Sequence, residues 1–69
     1  MYIKAKKGEL VVLDIGDNKV NIMFSKPFSF NVADVLDSVK PEGGFIEHLE
    51  SYLLASNVVE YIHVTTYNN

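Results

Sequence analysis

The stretch Phe45–Ser56, reading Phe-Ile-Glu-His-Leu-Glu-Ser-Tyr-Leu-Leu-Ala-Ser, constrains this chain more than any other. Phe45, Leu49, Tyr52 and Leu53 recur at the spacing of one helical face, with Ile46 beside them. Glu47 falls near the N-terminal end, where the helix dipole favours a carboxylate. Asn57 can take the left-handed conformation that closes a helix. A strand with one apolar face needs such a stripe to cover it, so the remaining segments are read for the face they offer.

The N-terminal third offers one. Tyr2–Ala5 and Glu9–Ile15 are strand-like and are joined by Lys6-Lys7-Gly8. A two-residue Lys7-Gly8 turn would pair Ile3 with Val12 and scatter apolar residues over both faces. A three-residue loop with Gly8 left-handed pairs Ile3 with Val11 instead. It gathers Met1, Ile3, Ala5, Val11, Leu13 and Ile15 on one face, and the register that unifies that face is expected. Gly16-Asp17-Asn18 then turns the chain into Lys19–Ser25. With Asp17-Asn18 central, Leu13 opposes Ile22, Ile15 opposes Val20 and Val11 opposes Phe24. The other face is mixed: Tyr2, Lys4, Asp14, Asn21 and Ser25 stand beside Leu10, Val12 and Met23, a semi-apolar patch.

Lys26-Pro27 ends the third strand, since proline cannot donate to a ladder. A helix start follows: Asn31 as N-cap, Asp34 near the positive end, and Phe30 positioned to staple onto Val35. Val32, Val35, Leu36 and Val39 repeat at helical spacing, and Pro41 stops the helix, which is predicted over Val32–Val39. Pro41-Glu42-Gly43-Gly44 matches no phosphate-binding fingerprint and reads as a helix–helix connector. Val58–Tyr67 is rich in β-branched and aromatic residues and reads as the last strand. Neither of its faces is clean; Ile62 and Val64 are placed towards the helices, and Tyr61, His63 and Tyr67 away from them. Asn68-Asn69 is a tail. The predicted fold is a single α+β domain over residues 1–69. Its order is β-β-β-α-α-β: an antiparallel four-stranded sheet with one short and one longer helix packed on one face.

Composition narrows the function classes. With no cysteine and only two histidines, His48 and His63, the chain lacks the ligands for a structural zinc site, and disulfides are excluded. The Asp14-Ile-Gly-Asp17-Asn18 cluster lacks the alternating oxygen ligands of a calcium loop and is explained by the hairpin turn. No metal and no cofactor are expected. No Gly-x-Ser-x-Gly elbow or cysteine–histidine arrangement is present. His48 is expected to face solvent between Glu47 and Glu50, so no catalytic residue is assigned and the chain is read as a non-enzyme. No segment reads as a targeting signal, and no apolar run comes near the ~20 residues needed to cross a bilayer; a cytoplasmic protein with no membrane contact is expected.

Charge and apolar content point towards binding. Residues 1–26 hold five lysines against three carboxylates and carry +2, whereas residues 27–69 hold one lysine against six and carry −5. Hydrophobic residues make up 48% of 69 positions, yet a chain this short buries only about 60% of its unfolded surface. Small domains without staples often associate to cover the remainder. The expectation is therefore a regulatory or interaction module, an inhibitor, adaptor or accessory subunit, acting on a protein partner and forming a homodimer.

Two surfaces are candidates. One is the outward side of the long helix: Glu47, His48, Glu50 and Leu54. The other is the sheet face turned from the helices: Tyr2, Leu10, Val12, Met23, Tyr61 and His63, where tyrosine and methionine suit an interface. A competing reading places single-stranded nucleic acid on the same face, with Tyr2, Lys4 and Lys6 alternating and Tyr61, His63 and Tyr67 joining them. The pI of about 5.1, the lack of arginine and the lack of a ribonucleoprotein motif oppose it. A third reading is a small-ligand pocket at a dimer interface.

Overall fold

A computed structural model describes residues 1–37 and 44–66, with only the backbone of Leu36. The described residues form five strands and two helices: β1 Tyr2–Ala5, β2 Leu10–Ile15, β3 Asn18–Phe24, β4 Phe28–Asn31, α1 Val32–Asp37, α2 Phe45–Ser56 and β5 Val59–Thr66. The chain is α+β, as its periodicities predict. The strands, however, form two antiparallel sheets, β1–β4 and β2–β3–β5, in place of one four-stranded sheet.

The first correction concerns β1. It does not form a hairpin with β2; it pairs with β4, which is not among the expected strands. Ile3 lies opposite Phe30, and Ala5 opposite Phe28. The second correction concerns the Gly16 turn. Its two central residues are Gly16 and Asp17, so Leu13 faces Val20 and Val11 faces Ile22. Gly16 has φ +60° while Asp17 keeps a negative φ, the pattern of a type II′ hairpin turn with glycine first. The slip from the expected register is two residues, which leaves every side chain on its expected face.

One register runs through both sheets. Tyr2↔Asn31 and Ala5↔Phe28 continue the pairing of Leu10↔Met23 and Ile15↔Asn18. Equal steps outward from Gly16-Asp17 along the two arms reach every pair. The two sheets are thus one long hairpin, bent in the middle. At the bend the Lys6 N–H donates to Glu9 Oε1 at 2.9 Å, and the Glu9 N–H donates to the Lys6 carbonyl at 3.0 Å. The Gly8 N–H, at φ +82°, reaches the Phe24 carbonyl at 2.7 Å, and the Phe24 N–H returns to the Glu9 carbonyl at 3.1 Å.

The bent hairpin wraps its inner face around the core. Ile3, Ala5, Leu13, Val20, Ile22, Phe24 and Phe30 are buried together with Val32, Val35, Leu49, Leu53 and Val58. Val11 and Ile15 pack against them, while Met1 is exposed and drops out of the expected set. The helix α2 runs over the predicted span, with Leu49 and Leu53 fully buried and Phe45 and Ile46 half-buried. Asn57 closes it at φ +56°, its N–H donating to the Leu54 carbonyl at 3.1 Å. At the start of α1 the Asn31 Oδ1 accepts the Ala33 N–H at 2.9 Å, which is the expected cap. The predicted continuation to Val39, the Pro41 stop, the connector over 41–43, Tyr67 and the tail lie outside the described residues.

The last strand adds to β3, so the order is β2–β3–β5. Phe24 pairs with Val59 and Met23 with Tyr61, a register shift that leaves Glu60 as an extra residue in a β-bulge. The shift explains the mixed faces read in the sequence. Before the bulge Val59 shares the inner side with Phe24; after it Ile62 and Val64 do, packed against the core. Among the described residues no helix is long and apolar enough to cross a membrane.

Candidate functional site: the outer sheet face and the β4 cleft

The inner face of β2–β3–β5 packs into the core, and among the described residues nothing covers its outer face. Cross-strand register sorts that outer face into three rows. Leu10, Met23 and Tyr61 lie abreast, then Val12, Asn21 and His63, then Asp14, Lys19 and Thr65. Leu10, Val12 and Tyr61 are 47%, 43% and 47% exposed, and Met23 between them is half-buried by its neighbours. The face therefore grades along the strands from apolar near the bend to charged near the Gly16 turn. Its polar side chains are tied down across the ladder. Asn21 Nδ2 donates to the His63 carbonyl at 3.2 Å, and Thr65 Oγ1 to the Lys19 carbonyl at 3.4 Å.

Five of the six predicted sheet-face residues, Leu10, Val12, Met23, Tyr61 and His63, come together here. Tyr2 does not. It stands with Lys4 on β1, beyond the Lys6–Glu9 turn, across from Asn31 and Ser29. The pairing of β1 with β4, invisible in the sequence, is what separates it. Tyr2, Lys4 and Lys6 thus do not share a sheet with Tyr61 and His63 as a single-stranded nucleic-acid platform would need.

The outward helix set is partly reunited. Glu47, Glu50 and Leu54 follow one another along α2 at the i, i+3, i+7 spacing of one face, and Leu54 is 62% exposed. His48 lies off that line; like Glu50 it is half-buried, where full exposure is the expectation. It stands one turn before Tyr52, on the flank that turns towards the core.

Beside β4 lies a cleft of about 440 Å³ lined by Tyr2, Ser29, Phe30, Asn31, Asp34, Val35 and Tyr52. Four elements contribute to it. Tyr52 is held there by the rings of Phe28 at 6.1 Å and Phe30 at 6.0 Å, both tilted. From the sequence, Tyr2 is expected on the outer sheet face, Asn31 and Asp34 at the start of the first helix, Phe30 and Val35 in its staple, and Tyr52 in the stripe of the second helix. Without β4 no spacing rule brings Tyr2 to Asp34. Among the described residues no group of three or more His, Cys, Asp or Glu side chains could hold a metal ion.

Comparison of the chain with family models, curated proteins and solved structures returned no match.

Proposed function

We propose that the chain is a cytoplasmic, non-enzymatic interaction module, an inhibitor, adaptor or accessory subunit, that self-associates through the outer face of β2–β3–β5. The observation carrying this reading is the contiguous Leu10–Met23–Tyr61 row with Val12 beside it, which none of the described residues covers. Contiguous apolar surface of this kind on a small domain marks a contact site. Pairing two such plates about a two-fold axis parallel to the strands would place each row against its own counterpart. Three strands about 4.8 Å apart make a plate only about 15 Å wide. That is small against the roughly 800 Å² per partner of a standard interface, so a weak, concentration-dependent dimer is expected. The acidic line of Glu47 and Glu50 with Leu54 on α2 remains available to a second macromolecule bearing basic groups.

Sedimentation velocity over the micromolar range tests the reading. The chain should move from monomer to dimer, and Met23→Lys, which sets a charge in the middle of the row, should hold it monomeric with unchanged circular dichroism. A strict monomer throughout, or an unaltered dimer in Met23→Lys, overturns self-association through this face. Labelled oligonucleotides should show no change in anisotropy at low salt; binding that falls steeply as salt is raised would replace the proposal with the nucleic-acid reading.

A further inference from the structure

The cleft beside β4 is chemically one-sided. Its walls combine two tyrosines, Tyr2 and Tyr52, with the apolar Phe30 and Val35. Among the described residues its one charged lining group is the Asp34 carboxylate, and none of those that line it is a lysine. The polar remainder is Ser29 and Asn31, and the Asn31 Oδ1 is committed to the Ala33 N–H. Two backbone donors at this end of α1 are also in use. The Val32 N–H donates to the Met1 carbonyl at 2.7 Å and the Ala33 N–H to Asn31.

The volume lies within the range of about 300 to 1,000 Å³ usual for small-molecule sites. A carboxylate beside aromatic rings attracts cations twice over, through the charge and through the ring quadrupole. We propose that this cleft binds a small organic cation, an ammonium or guanidinium group on an apolar stem. The charged head sits at Asp34 between Tyr2 and Tyr52, and the stem lies on Phe30 and Val35. The neighbouring cleft of Lys4, Ala5, Lys6, Pro27, Phe28 and Ser29 carries the opposite charge. The chain therefore sorts its charges on the two sides of Ser29, and attraction to one side is not a property of the whole surface.

Titration of the ¹⁵N-labelled chain by NMR tests this with three probes of the same four-carbon skeleton: n-butylammonium, n-butanol and butyrate. Butylammonium should give saturable shifts at the amides of Tyr2, Asn31, Asp34 and Tyr52, with butanol about tenfold weaker and butyrate silent. Asp34→Asn should weaken butylammonium binding about tenfold, and Tyr2→Leu severalfold. Asp37→Asn removes an exposed carboxylate on the same helix outside the cleft and should leave binding unchanged. A lysine-bearing tetrapeptide decides the source of the cation: equal affinity identifies a free amine, and tighter binding a side chain carried on a polypeptide. Equal binding of butanol, an equal loss in Asp37→Asn, or no saturable shift overturns the proposal. The dispersion of the variant spectra shows directly that the fold is kept.

Discussion

Replacing Gly8 by alanine tests the bend on which the two sheets depend. Gly8 sits at φ +82°, and a Cβ built there would meet nothing within 4 Å. The substitution is therefore free of clash and isolates the backbone conformation. An L-residue in the left-handed region costs about 1–2 kcal/mol. Restricting the unfolded chain returns about 0.4–1 kcal/mol. The net expectation is a loss of about 1 kcal/mol from a total of about 3 to 10 kcal/mol for a domain of this length. On melting, that corresponds to a midpoint lower by about 4–8 °C. The stereoisomer gives the decisive comparison, and a 69-residue chain is within reach of chemical synthesis. D-alanine at position 8 adopts positive φ without penalty and still restricts the unfolded state, so it should stabilise by about 0.4–1 kcal/mol. Urea unfolding of the glycine, L-alanine and D-alanine chains, with m-values unchanged, measures both signs. A neutral or stabilising L-alanine, or a D-alanine as harmful as its mirror image, would refute a left-handed Gly8 and with it this geometry of the bend.

The two helices carry further expectations. Leu53→Ala empties a fully buried site and should cost about 2–5 kcal/mol, enough to leave much of the chain unfolded by circular dichroism. Its neighbour Leu54, exposed on the other side of α2, should accept lysine within about 0.5 kcal/mol. Asn57→Ala should lower stability by about 1 kcal/mol because φ is +56°, whereas Asn57→Gly should keep or raise it in the same urea assay.

Local signals in the sequence were read well where one helix or one face could be judged alone. The helix α2 was found end to end because stripe, first-turn Glu47 and C-cap Asn57 all agree within thirteen residues. The inner and outer faces of the first three strands were found because alternation alone decides them. Register was not, since Ile3 opposite Val11 and Ile3 opposite Phe30 both bury Ile3. Side-chain pattern does not distinguish partners of equal parity. The strand β4 was missed because Phe28–Asn31 is four residues between a proline and a helix cap. Its pairing with β1 comes from continuing the register of a distant turn. The bulge at Glu60 hid the faces of β5 by breaking its alternation. For the candidate sites the consequence is direct: Leu10, Val12, Met23, Tyr61 and His63 depend on parity and were found. The cleft of Tyr2, Asp34 and Tyr52 depends on β1–β4 pairing and was not.

The single register through β1–β4 and β2–β3 also predicts an order of events as the chain folds. A hairpin of this kind can close from Gly16-Asp17 outward, each new pair enclosing a loop only slightly longer than the last. Loop-closure entropy is met once, at the tightest point, and residues 2–31 can zip before α2 exists. β5 has no such path: its Thr66 Oγ1 bonds Asn18 Oδ1 across 48 positions, a contact whose closure entropy nothing nearby has offset. Tracer experiments on folding should therefore find the first thirty residues structured early and the β3–β5 edge last. On a ribosome, where the N-terminal end emerges first, that order coincides with the order of synthesis.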